Sequence, residues 1–520
     1  MKHTCKISWL ILGIALSVSL YIRIAAVWGN NFPFTMDQGR DMVDLRHMIV
    51  TTSPRLIGPT TSINGVFLGP AWYYFLLPAF VLGGGDPSVI MIWQIIWYQL
   101  SGLFLWWVFS KKSLRLGLIV SLLFLFAPVG FNTSRYFWNA NAMPIFTAFF
   151  FGTLLMTLEK TSFKKLILTG ILAGIGLQIE AAFGILFFPF AFLYLAAKRL
   201  GIKNLLMLSL GFVSTLIPQA IFELRHDFLM TKVLLAEFSG KATILGEKIT
   251  FSDRLGERWQ ELIRRIVELS HFHPNIILLL FFFSLVIGIF ILIKSKQSVI
   301  NRISSVSIFF LIFSALFYLG FPQHLKGWYV LGLSVPLILI IASSLEYLFN
   351  LKNKYLSPII TVTILLHILH ALSAQSEYLN QIAFTVSNDP SNLRNELTAI
   401  DWVYTKANGN GFKAYSYIPS VYDYNYHYLY WWYGAKKYGY HPLDVAYLPN
   451  QTEYIKDNAL LWTKAKAGSN EGLIFLIIET DKEMSEREQK WLGNFSKLCP
   501  IEENKYPFGV ETVMTRNCPD

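Results

Sequence analysis

The sequence predicts a polytopic α-helical membrane protein with a small α/β domain at its C-terminal end. Three observations support this fold class. Of the 520 residues, 54% are hydrophobic and 16% are aromatic; apolar runs of about 17 to 22 residues recur along the chain; and the composition turns polar after residue 373. A water-soluble core does not need so many uninterrupted apolar runs, each about long enough to cross a bilayer.

The apolar runs define about eleven spans, and eleven to thirteen are compatible with the pattern. They cover residues 7–28, 88–109, 115–131, 142–158, 166–180, 181–197, 204–222, 274–293, 304–321, 327–348 and 356–373. The first run follows Lys2 and Lys6, as the apolar part of a signal peptide does. It lacks a small-residue cleavage site and further spans follow, so we expect a retained helix.

The basic residues orient these spans. With a cytoplasmic N-terminus, the Lys and Arg clusters of the short connections, such as Lys111 to Arg115, Lys160 to Lys165 and Lys352 to Lys354, all lie on the cytoplasmic side. The formal net charge of +11 then reflects membrane topology. We therefore expect membrane lipids as partners and no nucleic acid.

This orientation requires that residues 66–84 do not cross the membrane. The run contains Pro70 and Pro78, a glycine-rich end and the adjacent aromatic residues 72–74. These features favour an interfacial or re-entrant helix within an outer loop of residues 29–87. A full crossing is the alternative, and it would place every basic cluster outside.

A second outer loop covers residues 223–273. Apolar positions at helical spacing among arginines in residues 251–269 predict an amphipathic helix lying on the membrane. Its arginines suit either a phosphate-bearing lipid or ordinary anionic headgroups. With both loops included, residues 1–373 form the predicted transmembrane domain.

Residues 374–520 form the predicted extracytoplasmic α/β domain. Turn and cap residues near 388–397 indicate the start of a helix, and Gly411–Ile418 and Gly472–Ile478 are typical of buried strands. The aromatic run Tyr422–Tyr433 suits packing at an interface, with stacking on sugar rings as the alternative. Cys499 and Cys518 are able to pair if this domain lies in an oxidising compartment.

In this topology the polar residues that are hardest to explain face the outer side. Asp37, Arg40 and Asp41 follow the first span directly, and charges beside a membrane exit typically handle a polar substrate. An ordinary solvated loop is the alternative. The other polar residues at outer helix ends are Arg135, Asn139, Asn141, Gln178, Glu180, Glu223, Arg225, His226, Asp227, His324 and Lys326.

The order of these features resembles the GT-C class of membrane glycosyltransferases, within it the branch of protein O-mannosyltransferases and aminoarabinose transferases. The resemblance is carried by the acidic loop around Asp37, the segment Gly69-Pro-Ala-Trp-Tyr73-Tyr74, and Ser134-Arg135-Tyr136 at the end of the third span. It covers about the first 225 residues. It implies a donor in which a sugar is carried on a polyprenyl phosphate, and transfer on the outer face.

The chain also departs from the family pattern. Many relatives have Glu where this chain has Gln38, and many have an acidic residue where this chain has Asn139 and Asn141. These departures leave metal binding and a second catalytic carboxylate open. The cofactor is accordingly unassigned. The protein uses either a divalent cation, for which Asp37 and Asp41 are the only candidate ligands, or no cofactor.

Glycosyl transfer from a lipid phosphate requires a base for the acceptor proton and a cation for the departing phosphate. Asp37 is the candidate catalytic base. Arg135 is the first candidate for the phosphate because guanidinium pairs bidentately with phosphate oxygens. The remaining candidate substrate-binding residues are Arg40, Asp41, Tyr73, Asn139, Glu180, Glu223, Arg225, His226 and Lys326.

Structural roles compete with several of these assignments. Arg135 is equally placed to anchor a helix end beside Tyr136 and Trp138. An unpaired carboxylate at Glu180 would be costly, so we expect a cation such as Arg135 or Lys326 beside it. Glu223 and Arg225 are also able to form a local pair.

The predicted function is that of a multi-pass cell-membrane glycosyltransferase. It moves a hexosyl or pentosyl group from a polyprenyl-phosphate donor to a hydroxyl or similar nucleophile of a protein, lipid or glycan acceptor, on the extracytoplasmic face and with inversion. A transporter or flippase of lipid-linked sugars is the first alternative, although charges near mid-helix and repeated halves would then be expected. A non-catalytic glycan-binding membrane protein is the second.

Overall fold

The structure is a computed structural model. It describes residues 2–239, 249–294, 298–351, 353–385, 387–420, 422–449, 455, 470–481 and 483–518. Residues 240–248 of the predicted outer loop 223–273 therefore lie outside the described residues. The same holds for residues 450–454 and 456–469 of the predicted C-terminal domain.

Helices make up most of the described chain. They are α1 Lys2–Ala26, α2 Met36–Val50, α3 Ala71–Leu82, α4 Pro87–Ser110, α5 Leu114–Leu125, α6 Pro128–Thr133, α7 Met143–Glu159, α8 Phe163–Ile179, α9 Ala181–Gly184, α10 Phe187–Ala197, α11 Ile202–Thr215, α12 Ile217–Arg225, α13 Leu229–Phe238, α14 Phe251–Val267, α15 Pro274–Lys294, α16 Val299–Gly320, α17 Ser334–Asn350, α18 Leu356–Tyr378, α19 Leu393–Ala407, α20 Tyr424–Leu429, α21 Ala435–Tyr438 and α22 Ser485–Gly493. Short 3₁₀ helices cover Trp28–Asn30, Ala140–Ala142 and Gly327–Leu333, and π-helical turns cover Leu379–Ala383 and Tyr430–Gly434.

Within the described residues, seven helices are long and apolar enough to cross a membrane: Lys6–Asn30, Pro87–Ser110, Ala140–Glu159, Pro274–Lys294, Val299–Gly320, Gly327–Asn350 and Leu356–Ala383. The helices α11 and α12 add an eighth if this pair, bent by 52°, counts as one span. Shorter apolar helices cover Ala71–Leu82, Leu114–Leu125 and Ala181–Ala197. Every predicted span overlaps one of these helices or α8, and the span predicted at 115–131 is interrupted between α5 and α6. The polytopic α-helical class is confirmed, and whether α3, the predicted interfacial helix 66–84, crosses stays a prediction.

The chain divides into two compact units, each built from separate stretches of sequence. The helical unit comprises Met1–Ile24, Arg55–Phe75 and Ile92–Glu377. The sheet unit comprises Ala25–Pro54, Leu76–Met91 and Tyr378–Asp520. Residues 29–54, predicted as part of an outer loop of the membrane domain, thus belong to the unit that carries the sheet, together with the end of the predicted first span. The linear boundary at residue 373 stays a prediction.

Small residues bring α8 and α11 of the helical unit into backbone contact. A Cβ atom on Gly170 would lie 2.0 Å from the carbonyl oxygen of Leu208, and one on Gly211 would lie 2.1 Å from that of Ile167. Only glycine permits this approach, which is typical of packing between membrane helices. Gly174, in the C-terminal half of α8, lies against the side chain of Thr215.

The sheet has five strands, β1 Gly411–Tyr417, β2 Asp444–Ala446, β3 Asn470–Glu479, β4 Leu498–Lys505 and β5 Val510–Asn517, in the order β2-β1-β3-β5-β4. The first three strands are parallel, and β5 pairs antiparallel with both β3 and β4. One face is covered by an aromatic core around Tyr417, Trp491 and Phe495. The two strands and the helix start predicted from the sequence are confirmed as β1, β3 and α19.

The segment that precedes α2 joins the sheet unit through backbone hydrogen bonds. The amide of Phe34 donates to the carbonyl of Ser391 at 2.7 Å, and the amide of Leu393 donates to the carbonyl of Phe32 at 3.0 Å. The side-chain amide of Asn392 also donates to the side-chain oxygen of Asn31 at 2.9 Å. Residues far apart in sequence therefore fix the point from which α2 starts.

Cys499 and Cys518 form a disulfide. It joins β4 to the residue after β5, at the antiparallel end of the sheet. Disulfides persist mainly in oxidising compartments. The pairing that the sequence allowed is present in the structure.

Two carboxyl groups are buried at the centre of the sheet unit. Glu396, in the first turn of α19, is fully buried, and Glu479, the last residue of β3, is 3% exposed. The side chain of Asn425 donates to Glu396. Burial raises the pKa of Glu479 to about 8. It also raises the pKa of Glu396, on which the charge of Glu479 acts in the same direction. At neutral pH the pair therefore retains at least one proton.

This pair makes the sheet unit less stable in alkali. The unfolded-state pKa of Glu is about 4.3, below the folded-state values, so the protonated pair contributes most to stability in acid and this contribution falls as the pH rises toward 8. We expect the melting temperature, followed by tryptophan fluorescence, to fall by at least about 3 °C between pH 5 and pH 8. Glu479→Gln will flatten this dependence, while Glu486→Gln on exposed α22 will not. An equal slope in both variants would contradict the assignment.

Candidate functional site

The acidic segment predicted as the catalytic loop is the first turn of α2. Thr35 is the N-cap, and a capping box closes the turn: the Thr35 amide donates to the Gln38 side chain at 2.9 Å. Asp37 lies in this first turn, where the helix dipole favours a carboxylate. Gln38 therefore has a structural role, in which its side-chain oxygen accepts the hydrogen bond from Thr35.

Arg40 joins the two carboxylates of this turn. Its guanidinium donates to Asp37 at 2.8 Å and to Asp41 at 2.8 and 3.0 Å. The Asp41 side chain is fully buried, that of Arg40 is 12% exposed, and that of Asp37 is 29% exposed. Asp37 is thus the accessible carboxylate of the three-residue cluster, and Arg40 fixes its orientation. Such a group is able to accept a proton from an acceptor hydroxyl.

The same cluster bears on the open question of a metal. The guanidinium of Arg40 lies where a cation bound to both Asp37 and Asp41 would lie. Across the described ranges, no group of three or more His, Cys, Asp or Glu side chains is arranged to hold a metal ion. In the structure Asp37 and Asp41 are both paired with Arg40, and metal dependence stays open.

The opposite face of α2 packs on α20. A Cβ atom on Gly39 would lie 2.2 Å from the backbone nitrogen of Asn425, so this contact is backbone against backbone. Further along α2, Arg46 contacts the His427 ring at 3.3 Å and lies over the ring of Trp431, 5.3 Å from its centroid. The helix that carries Asp37 is therefore fixed on the sheet unit.

This packing bears on both readings of the aromatic run Tyr422–Tyr433. Tyr426, Tyr428 and Tyr430 are all fully buried. The Tyr428 hydroxyl donates to the carbonyl of Gly85. These three rings pack inside the sheet unit, so neither packing at the membrane interface nor stacking on a sugar applies to them.

In the helical unit, the structure brings together Glu180 and Asn139. Glu180 separates α8 from α9. Its carboxylate caps α9 by accepting a hydrogen bond from the backbone amide of Ala182 at 3.3 Å. The Asn139 side chain donates to the Ile179 carbonyl at 2.8 Å and to Glu180 at 3.3 Å. The expectation of a cation beside Glu180 was wrong. Among the described residues, the Glu180 carboxylate is bound by the side chain of Asn139 and the backbone amide of Ala182.

Arg135 and Lys326 each lie against an aromatic ring. The Arg135 guanidinium donates to Asn132 at 2.7 Å and lies 4.7 Å from the centre of the Phe131 ring. The Lys326 ammonium lies 5.7 Å from the Trp328 ring. The phosphate-binding role of both residues stays a prediction.

The predicted cluster at 223–226 is engaged in local structure. Glu223 accepts hydrogen bonds from the amides of Met230 and Thr231, both at 2.9 Å, and so caps α13. The His226 ring stacks on Phe222 at 4.0 Å between centroids. Arg225 is exposed in the last turn of α12. The expected Glu223 and Arg225 pair is replaced by a helix cap, and a substrate role for this cluster stays a prediction.

Gln178 holds the segment of residues 69–74, which carried part of the resemblance in the sequence. A Cβ atom on Gly69 would lie 2.1 Å from the Gln178 side chain, whose oxygen accepts the amide of Ala71 at 3.2 Å. The amide of Gln178 donates in turn to the Thr215 carbonyl at 2.6 Å. Tyr73, four residues beyond this glycine, is 1% exposed.

The helical unit contains an apolar groove that the sequence did not reveal. It has a volume of about 410 Å³ and runs between α14, α15 and α16, with walls such as Phe281, Ile308 and Leu311. Arg258 and Tyr318 also line it. The Tyr318 hydroxyl donates to the carbonyl of Ala182 at 2.9 Å, two residues from Glu180. A groove of this composition fits a hydrocarbon chain.

The amphipathic helix predicted at 251–269 is α14. Of its arginines, Arg264 is exposed, whereas Arg254 and Arg258 are engaged within the protein. Arg254 donates to the Leu319 carbonyl at 2.8 Å, and Arg258 donates to the carbonyls of Tyr318 at 3.3 Å and Phe321 at 3.1 Å. Cations at these carbonyls stabilise the C-terminal end of α16 through its unpaired acceptors and dipole.

The fold is similar to that of ArnT, a membrane glycosyltransferase of the GT-C class. Two crystal structures of ArnT, an aminoarabinose transferase of this class from Cupriavidus metallidurans, share it at 12% sequence identity. The structure bound to undecaprenyl phosphate matches with a TM-score of 0.52 over 97% of this chain and 98% of that chain. The apo structure matches with a TM-score of 0.53 over 98% of each chain. No protein-family model and no curated protein matches this sequence.

Proposed function

We propose that the protein is a membrane glycosyltransferase that takes its sugar from a polyprenyl-phosphate donor. The observation that carries this proposal is the near-complete fold match to ArnT, of which one structure binds undecaprenyl phosphate. The apolar groove beside α14 supports it, because a polyprenyl chain needs a long hydrocarbon-lined surface. The accessible, arginine-paired Asp37 supplies the base.

The proposed reaction is a direct displacement. The acceptor oxygen attacks the anomeric carbon and its proton passes to Asp37, while the bond from that carbon to the phosphate oxygen breaks and polyprenyl phosphate leaves with the electron pair. A single displacement inverts the anomeric configuration. Arg40 holds Asp37 in place, and Arg135 remains the first candidate for the leaving phosphate.

We further propose that transfer takes place on the extracytoplasmic face. The Cys499–Cys518 disulfide supports an oxidising compartment for the sheet unit, the unit that also holds Asp37. The acceptor is a hydroxyl or similar nucleophile of a protein, lipid or glycan.

Filling the groove tests the donor assignment. Ala315→Trp places a large ring in the groove wall, so we expect the KM for a full-length polyprenyl-phosphate sugar to rise about tenfold, equivalent to about 1.4 kcal/mol of lost binding. A donor with a short lipid does not reach as far along the groove, and its KM should change little.

The matched control is Leu279→Trp on α15. Leu279 is 71% exposed and is not among the residues that line the groove. Its replacement should leave both KM values unchanged. Equal effects of Ala315→Trp on long and short donors would place the polyprenyl chain elsewhere.

A further inference from the structure

Three helices of the sheet unit, α2, α19 and α20, form a closed circuit of contacts that includes the turn carrying Asp37. Just before α19, the carbonyl of Ser391 accepts a hydrogen bond from the amide of Phe34, which precedes α2. On the other side, the backbone of α20 at Asn425 packs against Gly39, two residues beyond Asp37. These two contacts lie on either side of Asp37 in the sequence.

The third link of this circuit is a hydrogen bond between α20 and α19. The side-chain amide of Asn425 donates to Glu396 in the first turn of α19. Asn425 is 1% exposed and Glu396 is fully buried, so water does not take the place of either partner. Among the described residues, the side chain of Asn425 is bonded to no other group. Glu396 therefore fixes the start of α20 at the point where α20 meets α2.

The other contacts between α20 and α2 act further along α2. Arg46, which contacts His427 and lies over Trp431, is more than two turns beyond Asp37. Gly39 is much nearer to Asp37, and there the two backbones touch without an intervening side chain. Close-packed atoms transmit a displacement, so a shift of Asn425 reaches the turn that carries Asp37.

We propose that Glu396 is a positioning residue for the transfer reaction. Through Asn425 it holds α20 against Gly39, and thereby holds Asp37 where the acceptor proton is taken. Burying a carboxyl group costs free energy that an apolar residue would avoid, but an apolar residue here would leave the buried amide of Asn425 without an acceptor. The proposal rests on the proposed function and assigns Glu396 no contact with substrate.

Release of polyprenyl phosphate from a polyprenyl-phosphate sugar tests this proposal in variants of Glu396. Glu396→Leu removes the acceptor of the Asn425 hydrogen bond, and we expect kcat to fall about 10-fold to 100-fold, as misplacement of a catalytic group typically causes. The KM for the donor should change little. Glu396→Gln keeps an oxygen acceptor for Asn425 and should retain most of the native activity.

Azide distinguishes misplacement of the base from loss of folded protein. It attacks the anomeric carbon as an anion and carries no proton, so the bond to the phosphate oxygen breaks and polyprenyl phosphate leaves with the electron pair without help from a base. Azide should therefore raise the release rate of Glu396→Leu, as it does that of Asp37→Asn, more than that of the native chain. The control is Val513→Ala, which truncates the aromatic core on the other face of the sheet and should respond to azide as the native chain does.

Amide hydrogen exchange tests the circuit without reference to activity. In Glu396→Leu, exchange of residues 36–41 should accelerate about fivefold relative to that of β1, the effect of losing one buried hydrogen bond. Val513→Ala should not produce this relative change. Should Glu396→Leu fail to fold, Asn425→Ala breaks the same bond from the other side and should give the same exchange and the same azide response.

The possible results separate this proposal from the function on which it rests. Unchanged relative exchange of residues 36–41, or an azide response no larger than that of Val513→Ala, would overturn the positioning role of Glu396 in an active enzyme. A native chain that released no polyprenyl phosphate would contradict the proposed function, and the exchange of residues 36–41 would still decide whether Glu396 holds α2.

Discussion

Asp37→Asn will reduce sugar transfer by about 100-fold to 10,000-fold, the range that loss of a general base typically produces. The amide keeps the shape of the side chain and an oxygen for Arg40, but it cannot accept the acceptor proton. We expect the loss in kcat, with the KM for the donor little changed, because Asp37 acts on the acceptor. Steady-state kinetics with purified protein in lipid measures both.

Asp44→Asn is the matched control for this substitution. Asp44 lies on the same helix, about two turns beyond Asp37, and the change in charge is identical. We expect activity close to that of the native chain. Equal losses in the two variants would mean that the charge of α2 as a whole matters and that Asp37 is not the base.

Gly39→Ala will destabilise the sheet unit by about 2 to 3 kcal/mol. The added Cβ would lie 2.2 Å from the nitrogen and 2.5 Å from the Cα of Asn425, and neither backbone atom moves aside as a flexible side chain would. Elsewhere in a helix the same change stabilises by about 0.5 to 1 kcal/mol, so the sign of the effect is diagnostic. Thermal unfolding and amide hydrogen exchange of α20 measure it.

Gly13→Ala in α1 provides the comparison. A Cβ atom on Gly13 would meet nothing within 4 Å, so we expect stability to be unchanged or slightly increased. If Gly39→Ala behaved in the same way, the backbone contact between α2 and α20 would not exist in solution. Activity should follow stability in the Gly39 variant, because this contact fixes the helix that carries Asp37.

The membrane spans were predictable because length and apolarity suffice for a helix in a bilayer, where the chain satisfies its own backbone hydrogen bonds. The strands β1 and β3 were predictable for a related reason, as short apolar runs bounded by glycine and polar residues. Asp37 and Arg40 were recognisable as a cluster because they are three residues apart on one helix face.

Contacts between distant segments were not predictable. Nothing near Gly39 indicates that the backbone of Asn425 packs on it, and nothing near Glu180 indicates that Asn139 is its partner. The arginines of α14 have the spacing expected of a lipid-binding amphipathic helix. Arg258 instead donates hydrogen bonds to carbonyls at the end of α16. From the sequence, Gln38 indicates only the loss of an acidic residue. In the structure, its side-chain oxygen accepts the hydrogen bond that closes the first turn of α2.

Release of polyprenyl phosphate tests the central claim most directly. The purified full-length protein, reconstituted in lipid, is given a panel of polyprenyl-phosphate sugars with candidate acceptors, and the free polyprenyl phosphate is quantified. The account predicts release from at least one donor by the native chain and its loss in Asp37→Asn. A folded native protein that released none from any donor, or that moved intact lipid-linked sugar across the bilayer, would contradict it.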